Sequence, residues 1–138
     1  MNWIYDGKNI DGTERFLTDY TSFVYRITNL EDNRVYFGKK RLHFIHHKRS
    51  VRRKNRIKII KESDWKDYWG SNDNLKEDIK RLGEDKFLRE ILRFCRRLSE
   101  ANYFELKYQM DNDVLFHPDR FYNSYIGTRV SRKQLGIS

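Results

Sequence analysis

The first regular pattern in the chain is an alternation of side chains. Residues 22–28 (SFVYRIT) place an aromatic or aliphatic side chain at every second position, which is the period of a β-strand. Turn-forming residues occupy 29–33, and residues 34–37 (RVYF) then have the character of a returning strand before Gly38. Two such strands joined by a short polar turn predict a β-hairpin.

Helical spacing follows later in the chain. Leu75, Ile79 and Leu82 recur at the i, i+4, i+7 positions of one helical face, which predicts an amphipathic helix over residues 72–82. Gly83 comes directly after the last apolar position, where a glycine commonly ends a helix.

The remaining elements complete an α+β order. Residues 87–95 (FLREILRFC) are consistent with a strand or a helix, and their position after a helix end favours the strand. Ser99 is a candidate N-cap for a helix over residues 100–110. Its predicted apolar stripe consists of Leu98, Ala101, Phe104 and Tyr108. With an extended N-terminal arm at 1–20, this order predicts a small antiparallel three-stranded sheet, including the hairpin, flanked by helices.

Composition narrows the class of protein. The chain has 138 residues, which predicts a single domain over 1–138 with a core at about 22–125. Its charged fraction of 36% alone would favour disorder, but an aromatic fraction of 15% favours a folded protein with a recognition surface. No apolar run is long enough to span a membrane, and no signal peptide is recognised at the N-terminus. The lone Cys95 fits a reducing, cytoplasmic location.

The net charge of +9 comes from one segment. Residues 39–61 contain eleven Lys or Arg and no acidic residue, and we expect the segment to begin as a helix. Such a run is either a solvated basic loop or an arm that binds phosphates. The second interpretation points to a nucleic acid as partner.

One acidic residue lies where an apolar residue is expected. Glu105 falls within the apolar stripe of the last helix, between the positions of Ala101 and Tyr108. A carboxylate there must be compensated by a cation, a metal ion or strong hydrogen-bond donors. The sequence therefore leaves two possibilities open for Glu105, a metal or catalytic role and a structural ion pair.

Tyrosines and histidines add weaker signals. Tyr25 and Tyr36 are eleven positions apart, so they share one face of the hairpin if the loop between the strands has an even number of residues. His43, His46 and His47 lie in strongly cationic surroundings, which disfavours a zinc site. A single histidine that acts near a phosphate is the more favourable interpretation.

Together these residues resemble a known family. The triplets Phe23-Val24-Tyr25 and Tyr36-Phe37-Gly38 are similar to the two-strand signature of the GIY-YIG endonucleases. The later elements, Glu105 on its helix and a terminal Asn123 follow in the family's order, over about residues 22–125. The segments YFGKK and ESDWKDYWGS are similar to stand-alone, homing-type GIY-YIG nucleases encoded by tailed phages.

The resemblance implies a catalytic site. It implies that Glu105 binds a divalent metal ion, Mg²⁺ or Mn²⁺, and that Tyr25 activates the attacking water. Tyr36 would orient the water or phosphate, and Asn123 would hold the site together. Because a tyrosine ordinarily titrates near pH 10, the resemblance also implies that a neighbouring Lys or His and the field of the metal ion help the tyrosine to act.

The implied basic groups are less well defined. Lys39 or Lys40, with His43, corresponds to groups that face the scissile phosphate. The family's catalytic arginine is replaced by His46 at the corresponding position. Arg53 is a candidate for its role, as are Arg41, Arg49 and Arg52, and the sequence alone does not choose among the four.

The predicted function is cleavage of double-stranded DNA. The predicted DNA contacts are Lys39, Arg41, Lys48, Arg49, Arg52, Lys54, Trp65 and Trp69. The two tryptophans would stack on bases or enter a groove, although Trp69 with Tyr68 could instead cover the sheet. A possible homodimer, and a non-catalytic nucleic-acid-binding protein with the same fold, remain alternatives.

Overall fold

The computed structural model describes residues 2–49, 56–127, 132–133 and 136–137. The strands are β1 (Trp3–Tyr5), β2 (Lys8–Ile10), β3 (Ser22–Asn29), β4 (Val35–Arg41), β5 (His43–Arg49), β6 (Arg56–Glu62) and β7 (Phe87–Cys95). The α-helices are α1 (Asp73–Leu82) and α2 (Leu98–Asp111). The predicted α+β class is therefore confirmed.

The main sheet is larger than predicted. It has five strands in the order β2-β1-β7-β3-β4, and β1 runs parallel to β7 while the other pairs are antiparallel. The predicted antiparallel strands β3, β4 and β7 are present, but the prediction of a three-stranded antiparallel sheet was wrong. The N-terminal segment, expected to be an extended arm, supplies β1 and β2.

The N-terminal segment joins this sheet because Trp3 is buried against residues far along the chain. Trp3 is fully buried, with its ring 5.1 Å from Phe23 and 5.2 Å from Tyr25 between centroids. Its indole N–H donates to the carbonyl of Trp65 at 2.7 Å. Burying so large an aromatic side chain stabilises the fold by roughly 1.5–3 kcal/mol, and β1 is placed beside β7 as a result.

The hairpin has the register that brings its tyrosines together. Tyr25 lies opposite Gly38, and Ile27 lies opposite Tyr36. Because alternate residues of a strand share a face, Tyr25 and Tyr36 are on the same side of the sheet, as an even loop requires.

The described parts of the basic segment form a two-stranded antiparallel ribbon, whereas we expected the segment to begin as a helix. Strands β5 and β6 pair antiparallel outside the main sheet, with Ile45 opposite Ile60. Isoleucines at 57, 59 and 60 favour a strand because a β-branched side chain fits the pleated backbone. We call β5 and β6 the basic ribbon. Residues 50–55 between them lie outside the described part of the chain.

The two helices cover opposite faces of the sheet. Leu75 of α1 packs in the core that contains Tyr25 and Ile27, whereas Ala101 of α2 packs against Val24. The start of α2 differs from the prediction, because Arg97 rather than Ser99 is the N-cap and contributes no side-chain hydrogen bond.

The predicted stripe of α2 is only partly correct. Ala101 is buried, but Leu98 is 38% exposed because it lies in the first turn, at the margin of the sheet. Helix α1 begins at the Asn72 cap, whose side chain accepts from Leu75, and ends at Gly83 with φ +93°.

Candidate active site

The candidate site lies along β4, the edge strand of the main sheet. The outward backbone groups of an edge strand have no neighbouring strand to bond, and in this protein other parts of the chain satisfy them. Val35 donates to the carbonyl of Arg120 at 2.9 Å and accepts from the amide of Tyr122 at 2.9 Å. The Asn123 carboxamide then accepts from the N–H of Phe37 at 3.0 Å and donates to its carbonyl at 2.9 Å.

Asn123 therefore acts as a one-residue extension of the sheet. It is 3% exposed, and both of its bonds replace the partners that a neighbouring strand would supply. This arrangement anchors the chain after Phe121 against the strand that carries Tyr36.

Two residues after Phe37 on β4, the outward backbone N–H of Lys39 is satisfied by the side chain of Glu105 from α2. The backbone N–H of Lys39 hydrogen-bonds to the Glu105 carboxylate, and Lys39 Nζ lies 3.8 Å from Glu105 Oε1. The ammonium also donates to the carboxamide oxygen of Asn102, one turn earlier on α2. The carboxyl group that the sequence places in an apolar stripe thus pairs with the hairpin itself rather than with a distant arginine.

Burial dominates the electrostatics of this carboxyl group. The Glu105 side chain is only 15% exposed. Desolvation raises the pKa of Glu105 above its usual value, and the charge and N–H of Lys39 offset this only in part. A second positive charge at the carboxylate would therefore be strongly stabilised.

Tyr25 reaches the site by crossing over Gly38. An ideal Cβ at position 38 would lie 2.4 Å from the Tyr25 hydroxyl oxygen and 2.5 Å from Cζ. Any side chain there would collide with the ring, which itself is 1% exposed. The glycine of the second triplet is therefore needed for close approach rather than for an unusual backbone conformation.

Tyr36 lies beside Tyr25 at the mouth of the site. The ring centroids are 6.1 Å apart, and the Tyr36 hydroxyl is 3.1 Å from Ser71 Oγ. Burial raises the pKa of Tyr36 to about 12, and the hydrogen bond with Ser71 opposes the shift. Burial also raises the pKa of Tyr25 well above its usual value, with further contributions from Tyr36, Tyr68 and Glu105.

The protein's own groups raise the pKa of both tyrosines, and no neighbouring Lys or His among the described residues contributes a lowering of either pKa. Burial is the largest cause for each hydroxyl, and nearby tyrosines and the Glu105 carboxylate disfavour the phenolate further. The expected contribution of a metal ion to the tyrosine pKa stays a prediction. Both hydroxyls are neutral near pH 7 in this structure, so each can donate a hydrogen bond.

The principal predicted residues converge on one cleft. Tyr25, Tyr36, Lys39, Glu105 and Asn123 all line a cavity of about 650 Å³, which we call the edge cleft. The edge cleft is bounded by β4, α2 and the first turn of α1. Its lining includes the phenols of Tyr25 and Tyr36, the ammonium group of Lys39 and the largely buried carboxylate of Glu105.

Two other predicted catalytic residues, Lys40 and His43, do not line the edge cleft. Lys40 points to the other side of the strand from Lys39, where its Nζ is 2.6 Å from Asp64 Oδ1 and 4.1 Å from the Tyr68 ring centroid. His43 lies opposite Glu62 in the register of β5 and β6, at the end of the basic ribbon. Arg53 lies outside the described residues.

The predicted DNA contacts are divided between several places. Arg41 lines a second cavity of about 440 Å³ together with Lys39 and Lys40. Lys48 and Arg49 are on β5, and Arg52 and Lys54 lie outside the described part of the chain.

The tryptophans belong to the core rather than to an exposed surface. Trp65 is 2% exposed, so it is not available to stack on a base in this structure. Trp69 is half-buried, packs against the core and lies 4.2 Å from the guanidinium of Arg89. The alternative in which Trp69 and Tyr68 cover the sheet is the one that the packing supports.

Arg89 is a structural residue that the sequence did not indicate. It is 2% exposed and donates to the carbonyls of Lys66 and Tyr68 at 3.1 and 2.8 Å. Burial lowers its pKa to about 10. Through these bonds Arg89 holds the segment that carries Tyr68 against the core, beneath Tyr25.

Two residues of the edge cleft were also missed. Ser71 bonds to Tyr36, and Gln109 lines the cleft one helical turn beyond Glu105. The signal for Gln109 was present in the sequence, since i and i+4 positions share a helix face. A glutamine, however, carries no charge that would mark it.

The donor set determines which metal ion the edge cleft could hold. Among the residues that the structure describes, no group of three His, Cys, Asp or Glu side chains is clustered, so a site with several protein ligands is not formed there. Glu105 and the first-turn Asp73 are the acidic residues that line the edge cleft. One oxygen ligand with room for water suits Mg²⁺, which usually retains several waters.

The paired hairpin tyrosines, the helix glutamate and the terminal asparagine, assembled on a mixed sheet, define the GIY-YIG class of endonucleases. Within that class, residues 3–126 match the family described as "Putative endonuclease segE, GIY-YIG domain", and the chain belongs to this family. No curated protein and no solved structure gives a significant match. Among the described residues, no helix has both the length and the apolar character needed to cross a membrane.

Proposed function

We propose that the protein is a divalent-metal-dependent DNA endonuclease of the stand-alone or homing type, encoded by a phage and acting in the bacterial cytoplasm. The observation that carries this proposal is the convergence of Tyr25, Tyr36, Lys39 and Glu105 on the edge cleft. Membership of a GIY-YIG family supports the reaction class.

In this proposal Glu105 holds the metal ion, Mg²⁺ or Mn²⁺. A bound divalent ion supplies Lewis-acid stabilisation of the phosphate and lowers the pKa of water. The pKa of the Glu105 carboxyl group is raised because the charged form has lost hydration. A divalent cation would stabilise the charged carboxylate more strongly than the ammonium of Lys39 at 3.8 Å does. The donor set therefore fits the ion that the family implies.

The remaining groups of the edge cleft orient the reactants. In the hydrolysis, the water oxygen forms a bond to phosphorus and gives up a proton to the solvent, the bond from phosphorus to the leaving deoxyribose oxygen breaks, and that oxygen gains a proton. Because both phenols are neutral, Tyr25 and Tyr36 hydrogen-bond to water or phosphate oxygen. Lys39 Nζ offsets the charge that develops on the phosphate. Asn123 is a positioning residue, since both ends of its carboxamide are occupied by Phe37.

The simplest test uses purified protein and supercoiled plasmid DNA. With Mg²⁺ we expect conversion to nicked or linear DNA, and excess EDTA should stop the reaction. Replenishing Mg²⁺ should restore it. Cleavage that continues in EDTA would contradict metal dependence, and DNA binding without any cleavage would contradict the enzyme assignment.

We propose that the basic ribbon binds the phosphate backbone of the DNA. Lys58 and Lys61 are exposed on β6, away from the main sheet. Contacts of this kind bind phosphates without reading sequence. Strong target selectivity would then require base contacts by the ribbon or a homodimer.

The ribbon proposal predicts a change in salt dependence. In the double variant Lys58→Gln/Lys61→Gln, DNA affinity should fall, and the slope of log K against log salt should become shallower by about 1.8, since each phosphate contact contributes about 0.9. Fluorescence anisotropy at several salt concentrations, with EDTA present, measures this. Lys8→Gln/Arg15→Gln removes the same charge near the opposite edge of the sheet and should leave the slope unchanged. Equal slopes for both pairs would contradict the proposal.

One observation favours a second candidate. His46 occupies the position of the family arginine, which is compatible with a non-catalytic nucleic-acid-binding protein that retains the fold. Such a protein would bind DNA with the same salt dependence and would show no nicking at any Mg²⁺ concentration.

A further inference from the structure

The edge cleft contains a buried acceptor for which the proposed function has no use. Gln109 is 4% exposed, and its side-chain oxygen Oε1 accepts no hydrogen bond from the described residues. Leaving a buried carbonyl oxygen without a donor is costly, and such groups in a native fold call for an explanation. A partner absent from the free chain is one such explanation.

Gln109 and Glu105 face the same cleft from one side of α2. The two residues are four apart on α2, about 6 Å along the helix axis, and share one face. Both line the edge cleft.

Three polar side chains of the edge cleft already donate elsewhere. Asn123 donates to Phe37, and Lys39 donates to Asn102. Asn72, at the start of α1, donates to the carbonyl of Tyr122. A molecule that enters the edge cleft can supply the donor that Gln109 Oε1 lacks among the described residues.

A hydrated cation supplies such donors. A magnesium ion held by one carboxylate keeps several waters, and the hydrogens of those waters need acceptors. We infer that Gln109 Oε1 accepts a hydrogen bond from a water on the metal ion that Glu105 holds, and that Gln109 is a positioning residue for that ion. This inference rests on the proposed function.

The terminal amide torsion of a glutamine is broad. The carbonyl can therefore turn toward the cleft without moving the helix. A neutral carbonyl adds no charge to the site, so the contribution of Gln109 is to orient a water rather than to neutralise the ion.

Manganese binding to the metal-free protein without DNA tests the inference. Titration with Mn²⁺, followed by the electron paramagnetic resonance signal of the free ion, should give an affinity about 10- to 100-fold lower for Gln109→Leu than for the wild type. The unfolding temperature of Gln109→Leu without metal should equal or exceed that of the wild type, because an unpaired buried oxygen has been removed. Gln109→Glu, which keeps an acceptor, should bind Mn²⁺ at least as tightly as the wild type.

The controls separate this inference from the function on which it rests. Met110→Leu, at an exposed neighbouring position of α2, should change neither quantity. If Gln109→Leu binds Mn²⁺ like the wild type, or unfolds at a lower temperature without metal, the inference is wrong while the proposed function stands. If the wild type shows no Mn²⁺ binding that depends on Glu105, both are wrong.

Discussion

Glu105→Gln should reduce plasmid cleavage by about three orders of magnitude while the protein remains folded and bound to DNA. Loss of the carboxylate removes the ligand of the proposed metal ion, whose Lewis-acid contribution of several kcal/mol corresponds to a factor of this size. Single-turnover cleavage with Mg²⁺, compared with DNA binding in EDTA, measures the two effects separately.

The structure explains why this substitution should spare the fold. Burial already raises the pKa of Glu105, so a neutral side chain of the same length suits the site. Its amide oxygen can still accept from the Lys39 N–H. DNA affinity should stay equal or rise, because the positive charge of Lys39 is no longer offset by the carboxylate 3.8 Å away.

Glu100→Gln is the matched control on the same helix. Glu100 lies in the first turn of α2, where a carboxylate interacts favourably with the helix dipole, and it does not line the edge cleft. We expect wild-type cleavage from this variant. If Glu105→Gln also cleaves at the wild-type rate, Glu105 does not hold an essential metal ion.

Gly38→Ala should damage both stability and catalysis. The new Cβ would fall 2.4 Å from the Tyr25 hydroxyl oxygen, and the Tyr25 ring is enclosed by Trp3, Tyr36 and Tyr68. Overpacking of this kind costs about 1–3 kcal/mol. A displacement of about 1 Å in a reacting group lowers the rate by about 100-fold. Thermal unfolding and single-turnover cleavage test these two results.

Gly7→Ala provides a control of the same chemistry without the collision. Gly7 has φ +75° in the turn between β1 and β2, and a Cβ added there would meet no other atom within 4 Å. An alanine there costs stability through backbone strain, by about 1 kcal/mol, yet it should not alter cleavage by folded protein. If Gly38→Ala and Gly7→Ala lose stability equally and both cleave normally, the close approach of the Tyr25 ring to Gly38 is not required for activity.

The local patterns in the sequence predicted the elements on which the site is built. The alternation around Tyr25 and Tyr36 predicted strands β3 and β4, because a two-residue period depends only on neighbouring positions. The helical spacing of Ala101, Glu105 and Tyr108, which also depends only on near neighbours in the sequence, placed Glu105 on the apolar face of α2. The order of these elements followed from the sequence pattern and is similar to that of the GIY-YIG nucleases, and the family match confirms that membership.

The electrostatics and the partners of each side chain depended on the fold. Lys39 and Lys40 are adjacent in sequence, yet a strand sends them to opposite faces, and only the packing of α2 decides which one meets Glu105. The tyrosine pKa shifts follow from burial, which is set by Trp3 and by the segment around Tyr68.

The amino-acid sequence by itself determined the hairpin, the two α-helices, the basic segment and the residue types available for chemistry. The tertiary structure alone decided that the N-terminus joins the sheet, that the basic segment is a ribbon and that Trp65 is buried. The physical reason is distance along the chain. Periodicity reports contacts between residues a few positions apart, whereas Trp3 and Trp65 meet across 62 positions through burial that no local pattern records.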